Sequence, residues 1–160
     1  MLVRNILEES VQKFGEVKAV KWLNKKEISE RSYCEIMENA ASVRKGLLAE
    51  GFEGKHIALI GTSSVEWIES YLGIITGCTT AVPLDAALPC EDLVDLINRS
   101  DCAALFLSPK HRPYLEVFLT NCPGLQKVWM LQEEVEDAPE KVYSINELRN
   151  TGNNASKDAA

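Results

Sequence analysis

The sequence contains few residues that break regular structure, and this scarcity excludes several classes of protein. Only nine Gly and six Pro occur among its 160 residues, which excludes collagen-like and low-complexity chains. Hydrophobic residues make up 46% of the chain, too many for an intrinsically disordered segment. A chain of this length and apolar fraction is expected to fold as one domain around a single core.

Positive charge and long apolar runs are also scarce. The 17 basic residues are outnumbered by 24 acidic ones, and a net charge of −7 argues against a nucleic-acid partner. The longest apolar stretch, Tyr71 to Leu84, is interrupted by two glycines and three threonines and is too short for about 30 Å of hydrocarbon. Because the first residues also lack the apolar segment of an export signal, we expect a cytoplasmic protein without a membrane span.

The five cysteines lack the spacing of a metal or redox site. They are odd in number and widely separated, and no C-x-x-C pair occurs. Each lies among apolar neighbours, where a reduced thiol packs as a small hydrophobic group. The sequence therefore predicts five buried free thiols in a reducing compartment and no metal site.

Short apolar runs alternate with helical patterns through most of the chain. Strands are predicted at residues 56–61, 79–84, 102–107 and 126–131, with an amphipathic helix before or between them. These runs are apolar throughout, which is typical of strands in a parallel sheet covered on both faces. The predicted fold class is α/β, with three layers and a mostly parallel sheet of Rossmann-like or flavodoxin-like type.

The character of the chain changes after the last of these runs. Acidic residues crowd the stretch 133–140, and a short strand with a turn of helix is expected to follow. From Asn150 onward only small, polar or charged side chains occur. The sequence therefore predicts a single α/β subdomain over residues 1–149 and a mobile tail over residues 150–160.

Motifs for nucleotide binding and catalysis are missing. No G-x-G-x-x-G occurs, and residues 51–55 (GFEGK) have the wrong spacing for a P-loop, with His56 in the position of its Ser or Thr. Neither G-x-S-x-G nor H-E-x-x-H is present. The residues alone therefore predict no catalytic set.

One polar cluster lies where a ligand could bind. Residues 108–112 (SPKHR) follow an apolar strand, and open α/β sheets bind ligands beyond the carboxyl ends of their strands. The alternative is that the cluster forms a solvated helix start, as basic surface residues often do.

The middle of the chain carries an ordered set of short elements. In sequence order these are an aromatic residue after a short strand (Tyr33), a Gly-x-x-Gly turn (Gly51, Gly54), an apolar strand, a Ser-x-Glu-Trp helix start (Ser64, Glu66, Trp67), then Gly77 and a strand ending Val82-Pro83-Leu84. Over residues 17 to 131 this order resembles the amino-terminal region of AMP-forming acyl-CoA synthetases and their adenylate-forming relatives.

The resemblance implies an activity and a set of contacts. Family members use ATP and Mg²⁺ to convert a carboxylic acid, a fatty acid in the most similar branch, into an acyl-adenylate, and then transfer the acyl group to coenzyme A. The implied fold is the amino-terminal subdomain of the adenylate-forming fold. The implied site residues are Asp85, Ala86, Ala87 and Lys110 or Arg112 at the edge of the coenzyme A site, and Trp67 at the acid substrate. Asp85 could equally be a turn residue, and Trp67 could instead pack in the core.

The family's phosphate loop is missing. Its Ser/Thr/Gly-rich stretch closing in Pro-Lys does not occur between Leu131 and Ala160, and neither does the catalytic lysine of the carboxyl-terminal domain. We therefore expect an inactive amino-terminal fragment that carries no catalytic residue and holds no cofactor by itself. Its expected partners are the remainder of the parent ligase and a second copy bound through an exposed apolar face.

Two alternatives remain open at this point. The chain could instead be the amino-terminal part of a peptide-synthetase-type adenylation domain. It could also be a non-catalytic binding module that uses a Rossmann-like sheet alone.

Overall fold

A computed structural model describes residues 2–158, and the side chains of residues 2–155. The elements, in chain order, are α1 (Val3–Phe14), β1 (Lys18–Asn24), β2 (Glu27–Ser32), α2 (Tyr33–Ala49), β3 (His56–Ile60), α3 (Val65–Ile75), β4 (Thr80–Leu84), α4 (Cys90–Arg99), β5 (Cys102–Leu107), a short 3-10 helix (Pro109–Tyr114), α5 (Leu115–Asn121), β6 (Lys127–Met130), β7 (Val142–Ser144) and α6 (Ile145–Asp158).

Five strands form one sheet in the order β4-β3-β5-β6-β7, and every neighbouring pair is parallel. The central strand β5 is buried at all six positions, because both faces of the sheet are covered. Strands β1 and β2 form a separate antiparallel hairpin before the sheet. The α/β class and the parallel sheet expected from the apolar runs are confirmed.

Two apolar cores hold the three layers together. On one face, Val43 and Leu47 of α2 and Leu148 of α6 belong to a single buried cluster with the sheet residue Trp129. On the other face, residues of α4 and α5 such as Leu93 and Phe118 pack in a second buried cluster. Helices therefore cover both faces, as a parallel sheet of apolar strands requires.

Helix α2 begins at the residue that its local sequence predicts. The Ser32 hydroxyl accepts a hydrogen bond from the Glu35 amide (3.2 Å), and the Glu35 carboxylate accepts one from the Ser32 amide (2.7 Å). This reciprocal pair satisfies two amides that the first turn leaves without a helical partner. At the other end, Gly51 adopts φ +82°, a left-handed conformation that favours glycine.

Residues 150–158 continue helix α6, which corrects the expectation of a tail beginning at residue 150. Gly152 is buried, and the Ser42 hydroxyl donates a hydrogen bond to Asn153 Oδ1 at 2.7 Å. A Cβ atom at Gly152 would lie 2.1 Å from the Ser42 carbonyl oxygen, so α6 crosses α2 almost backbone to backbone. The small and polar composition that predicted mobility instead permits this close crossing. Residues 159–160 of the expected tail lie outside the described residues.

The cysteines differ in exposure. All five are free thiols, and Cys102 and Cys122 are buried as predicted, whereas Cys34 and Cys90 are half-buried and Cys78 is exposed. The prediction of five buried thiols is therefore wrong for Cys78, which lies in the loop between α3 and β4 outside both cores, and it is met only in part by Cys34 and Cys90. No helix within residues 2–158 has the length and hydropathy needed to cross a bilayer.

Candidate functional site

The parallel strands bring three polar loops to one edge of the sheet. Ile60 at the end of β3 is in register with the last residues of β4 and β5, so the loops after these strands emerge side by side. They form an open groove of about 640 Å³, here called the carboxyl-edge groove, lined by Thr62, Asp85, Ala86, Ala87, Lys110, His111, Pro113 and Tyr114. This edge is where open α/β sheets bind their ligands.

His111 joins two of these loops. Its Nδ1 atom lies 3.0 Å from the Ser108 hydroxyl, and its Nε2 atom lies 3.0 Å from the Ala86 carbonyl oxygen. Because a carbonyl oxygen only accepts, we assign a ring proton to Nε2, which donates to the Ala86 carbonyl, while the Ser108 hydroxyl lies within hydrogen-bond distance of Nδ1. The imidazole thus links the loop after β5 to the loop after β4.

Gly61 allows the loops after β3 and β5 to approach closely. The Ser108 amide donates a hydrogen bond to the Ile60 carbonyl oxygen at 2.9 Å, which carries the β3–β5 pairing one residue beyond the strand. A Cβ atom at Gly61 would lie 2.9 Å from the Ser108 Cβ, a contact that real side chains do not tolerate. Ser108 and His111 are both buried, so their hydroxyl–imidazole pair braces the loop after β5.

Asp85 shapes the loop after β4. Its carboxylate accepts a hydrogen bond from the Ala87 amide at 2.9 Å, which is an Asx turn. Asp85 is therefore a turn residue, which was one of the two roles expected for it. Its side chain is exposed and lines the carboxyl-edge groove as well.

The structure brings together four of the six residues predicted for binding. Asp85, Ala86, Ala87 and Lys110 all line the carboxyl-edge groove. Arg112 does not line it, because its Nη2 atom donates to the Glu136 carbonyl oxygen at 2.7 Å in the acidic segment after β6.

Trp67 lies beside the end of β3 but outside the carboxyl-edge groove. Its ring stacks on Tyr71, with centroids 5.3 Å apart and planes 16° apart, and is partly buried against the core on the α2–α6 face. Its assignment to an acid substrate stays a prediction.

Sequence reasoning missed Thr62 and Tyr114 as residues of the groove. The sequence position of Thr62 could have identified it, since Thr62 follows the apolar strand β3 by two residues and so lies at the same edge as Asp85 and Lys110. Tyr114 had no comparable signal, because its position depends on the 3-10 helix that turns the chain back toward Ala86.

The carboxyl-edge groove carries few charged groups. Lys110 is its one cation and Asp85 its one acid among the described lining residues. No group of three His, Cys, Asp or Glu side chains that could hold a metal ion occurs in the described part of the chain. An exposed lysine beside backbone turns can bind a phosphate group as a point charge.

A family model extends over almost all of these elements. The model of the AMP-binding enzyme family matches residues 7–158, from α1 to the end of α6. The chain belongs to the AMP-binding enzyme family. Within that family it corresponds to the amino-terminal part of the fold.

Curated relatives come from two kinds of family member. A long-chain-fatty-acid–CoA ligase, ACSBG1 of Rattus norvegicus, is 28% identical over 98% of this chain and 22% of its own length. The nonribosomal peptide synthetase criC of Aspergillus cristatus is 32% identical over 49% of this chain and 4% of its own length. The chain thus spans about a fifth of the length of the fatty-acid–CoA ligase that it matches.

Solved structures of similar fold are adenylate-forming enzymes. The coronafacic acid ligase of Pectobacterium brasiliense has a TM-score of 0.83 at 20% identity, over 94% of this chain and 29% of that one. The anthranilate CoA ligase AuaEII has a TM-score of 0.78 at 20% identity, over 91% and 27% of the two chains. At this identity the likeness shows the fold that the AMP-binding chain shares with them.

Proposed function

We propose that the chain is the amino-terminal part of an ATP-dependent, AMP-forming acyl-CoA ligase whose acid substrate is a fatty acid. In this proposal the carboxyl-edge groove receives the nucleotide end of coenzyme A. The observation that carries it is the convergence of Lys110 with the Asp85–Ala87 turn, which His111 holds in place. The match of nearly the whole chain to a long-chain-fatty-acid–CoA ligase supports the choice of acid.

Within the groove each residue has a distinct task. The Lys110 ammonium would pair with a phosphate of the nucleotide, and the loop of Ala86 and Ala87, which carries no bulky side chain, would leave room for the adenine or ribose. Tyr114 offers a ring at the wall on which a base could pack. Because Arg112 binds the carbonyl of Glu136, the proposal assigns the phosphate contact to Lys110 alone.

ATP and Mg²⁺ belong to the remainder of the ligase in this proposal. The 160 residues contain no Ser/Thr/Gly-rich phosphate loop, and a triphosphate needs several cations or amides to offset its charge. We therefore expect the chain alone to release no pyrophosphate above background when mixed with ATP, a fatty acid and coenzyme A. Pyrophosphate release at a robust rate would contradict the assignment of catalysis to residues outside it.

A titration of the isotope-labelled chain with coenzyme A tests the groove by amide chemical shifts. Weak, roughly millimolar binding is expected, since the chain supplies one wall of the site. Shifts should concentrate at Thr62, Ala86, Ala87 and Lys110. Replacement of the exposed Lys110 by Gln should weaken binding about two- to fivefold, whereas the matched variant Lys26→Gln in the β1–β2 turn should not.

Three outcomes would oppose or replace the proposal. Absence of shifts at the groove up to about 10 mM, well above the expected affinity, would contradict it. Binding tighter than roughly 10 μM by the chain alone would favour a self-sufficient binding module instead. Equal shifts from pantetheine and coenzyme A would show that the nucleotide is not recognised.

The last of these outcomes bears on a second candidate, an adenylation domain of the peptide-synthetase type. The observation that favours it is the 32% identity to criC over 78 residues. Such a domain passes its acyl group to a carrier-bound thiol and has no need of a nucleotide site in the groove. Recognition of the nucleotide of coenzyme A by Lys110 would therefore support the ligase over the adenylation domain.

A further inference from the structure

A second cavity lies at the opposite edge of the sheet, near the residues that precede β4. This basal cavity has a volume of about 590 Å³ and is lined by Leu2, Val3, Arg4, Arg44, Lys45, Leu48, Glu53, Ile75, Thr76, Gly77, Cys78 and Thr79. Thr79 stands directly before β4, whereas Asp85 of the carboxyl-edge groove stands directly after it. The five residues of β4 separate the two sites by about 16 Å.

The wall of the basal cavity is apolar and open to solvent. Leu2 is 71% exposed, Val3 45% and Leu48 54%, and the partly buried Ile75 lies with them. Large apolar side chains that are both exposed and contiguous mark binding surfaces on soluble proteins. A volume of this size is within the range of small-molecule sites, roughly 300–1,000 Å³.

One partly buried cation, Arg44, lines this cavity without an ion-pair partner among the described residues. Arg44 Nη1 is buried and has no hydrogen-bond partner among the described residues. No carboxylate of the described part of the chain lies within 4.0 Å of Arg44, and burial lowers the pKa of its guanidinium. A buried guanidinium nitrogen without an acceptor costs free energy that an anionic ligand would recover.

The surroundings of Arg44 add positive charge to the same place. Lys45 also lines the cavity, and Arg4 does so while pairing with Glu8 at 2.9 Å. Helix α1 begins at the cavity with no side-chain cap on its amides and no acid in its first turn. Glu53 is the one acid among the lining residues, and it is exposed.

We propose that the basal cavity binds the anion of an alkyl carboxylic acid. The alkyl chain packs along Leu2, Leu48 and Ile75, and the carboxylate pairs with the Arg44 guanidinium. A free phosphate would leave the apolar wall uncovered, and a neutral alcohol would leave the guanidinium unpaired. The site is separate from the carboxyl-edge groove, so it does not depend on coenzyme A binding there.

Cys78 provides a built-in reporter for this site. It lines the cavity and is the exposed cysteine of the chain, whereas Cys102 and Cys122 are buried. Decanoate should slow the alkylation of Cys78 by the neutral reagent iodoacetamide. Peptide mapping measures the alkylation of Cys78 separately from that of Cys34 and Cys90. Coenzyme A, which is assigned to the other edge, should leave the alkylation rate of Cys78 unchanged.

Matched ligands separate the two halves of the proposal. Decanol lacks the charge, decyltrimethylammonium has the opposite charge and acetate lacks the chain, so each should protect Cys78 at least about tenfold less well than decanoate. Equal protection by decanol and decanoate would overturn the role of Arg44, and protection by acetate alone would overturn the role of the apolar wall. Absence of protection by decanoate at any concentration below its micelle threshold would overturn the site.

Variants complete the test. Arg44→Gln keeps the aliphatic stem that packs beside Gly77 and should weaken decanoate protection about tenfold, with folding checked by circular dichroism. Leu48→Glu changes an exposed residue, so the fold should persist while the added charge opposes the carboxylate. Lys26→Gln removes a cation far from the cavity and should leave protection unchanged. Wild-type protection in both Arg44→Gln and Leu48→Glu would overturn the proposal.

Discussion

His111 Nε2 lies 3.0 Å from the carbonyl oxygen of Ala86, so a side chain following β5 holds the loop that follows β4. The same ring is held by the Ser108 hydroxyl at 3.0 Å. The contact with Ser108 is buried and the contact with Ala86 is partly buried, so the imidazole acts as a brace beneath the carboxyl-edge groove, where solvent competes little for its hydrogen bonds. Lys110 directly precedes His111 in the chain, so the same brace keeps Lys110 at the rim of the carboxyl-edge groove.

Replacement of His111 by Ala should lower the free energy of unfolding by about 1–3 kcal/mol, because the Ser108 hydroxyl and the Ala86 carbonyl lose a buried partner. Urea denaturation measures this loss, and the amide shifts of Ala86 and Ala87 should move in the folded variant. Arg112→Ala is the control, since its one hydrogen bond is exposed and its loss should cost less than about 1 kcal/mol. Equal costs for the two variants would contradict the bracing role.

Glu69 of α3 is a buried carboxylate that holds three other elements. It accepts hydrogen bonds from Asn39 of α2 at 2.8 Å and from Arg149 of α6, and the Arg31 guanidinium of β2 lies 3.7 Å away. Burial raises the pKa of Glu69, while the hydrogen bond from Asn39 and the two arginines act in the opposite direction. The carboxylate therefore joins the hairpin and α6 to the rest of the fold.

The variant Glu69→Gln should reduce stability by about 3–5 kcal/mol, because it leaves the largely buried Arg149 without a charge partner. Chemical denaturation gives this value directly. Glu30→Gln is the matched control, as Glu30 pairs with Lys18 and Lys21 on the exposed hairpin and should cost less than about 1 kcal/mol. A Glu69→Gln protein as stable as Glu30→Gln would show that the network contributes nothing.

Gly152 tests whether α6 packs on α2 in solution. A Cβ at this position would meet the Ser42 carbonyl oxygen at 2.1 Å and the Gly46 amide nitrogen at 2.7 Å, and backbone atoms cannot move aside as a side chain can. Gly152→Ala should therefore lower the thermal midpoint and cost about 1–3 kcal/mol, despite the better helix propensity of alanine. Asn154→Ala on the exposed side of the same helix should be neutral or slightly stabilising. A stabilised Gly152→Ala protein would indicate a helix detached from α2.

The buried thiols predict a loss of stability at alkaline pH. Burial raises the pKa of Cys102 and of Cys122 from 9.0 to about 11. Between these values the unfolded chain releases protons that the folded chain retains, so the contribution of the thiols is complete below pH 9 and is lost as the pH approaches 11. Each thiol accounts for up to about 2–3 kcal/mol of that decline.

Cys122→Ala isolates this effect. Its free energy of unfolding should fall less steeply than that of the wild type between pH 9 and about 11, whatever its starting value. Urea titrations at intervals across this range measure both slopes. Cys78→Ala changes an exposed thiol and should leave the slope unaltered. Parallel declines in Cys122→Ala and the wild type would exclude Cys122 as a source of the pH dependence.

Much of the fold follows from short stretches of sequence. The apolar runs that became β3 and β5 are buried on both faces, and such runs need little beyond their own composition to be recognised as strands of a covered parallel sheet. The Ser32–Glu35 capping box is equally local, since its partners are three residues apart. The resemblance to AMP-forming acyl-CoA synthetases assigned Asp85 and Lys110 to one site, and both residues line the carboxyl-edge groove.

The remaining relationships join residues that are distant in the chain. His111 and Ala86 are 25 residues apart, and Glu69 and Arg149 are 80 apart, and neither pair has a local pattern that marks it. Arg112 belongs to the same polar cluster as Lys110, yet the path of the segment after β6 places the Glu136 carbonyl against it. The hydrogen-bond partner of a long side chain depends on which backbone segment lies next to it. The tertiary structure decides which segment that is.

The sequence by itself determined the α/β class, the parallel sheet and the edge of the sheet at which the polar loops lie, because apolar runs and capping residues act over a few positions. Only the tertiary structure decided that residues 150–158 continue α6, that Cys78 is exposed and that Arg44 lines the basal cavity. The physical reason is the same in each case. Burial depends on the fit between distant backbones, as where α6 meets α2 at Gly46 and Gly152, and composition alone does not specify that fit.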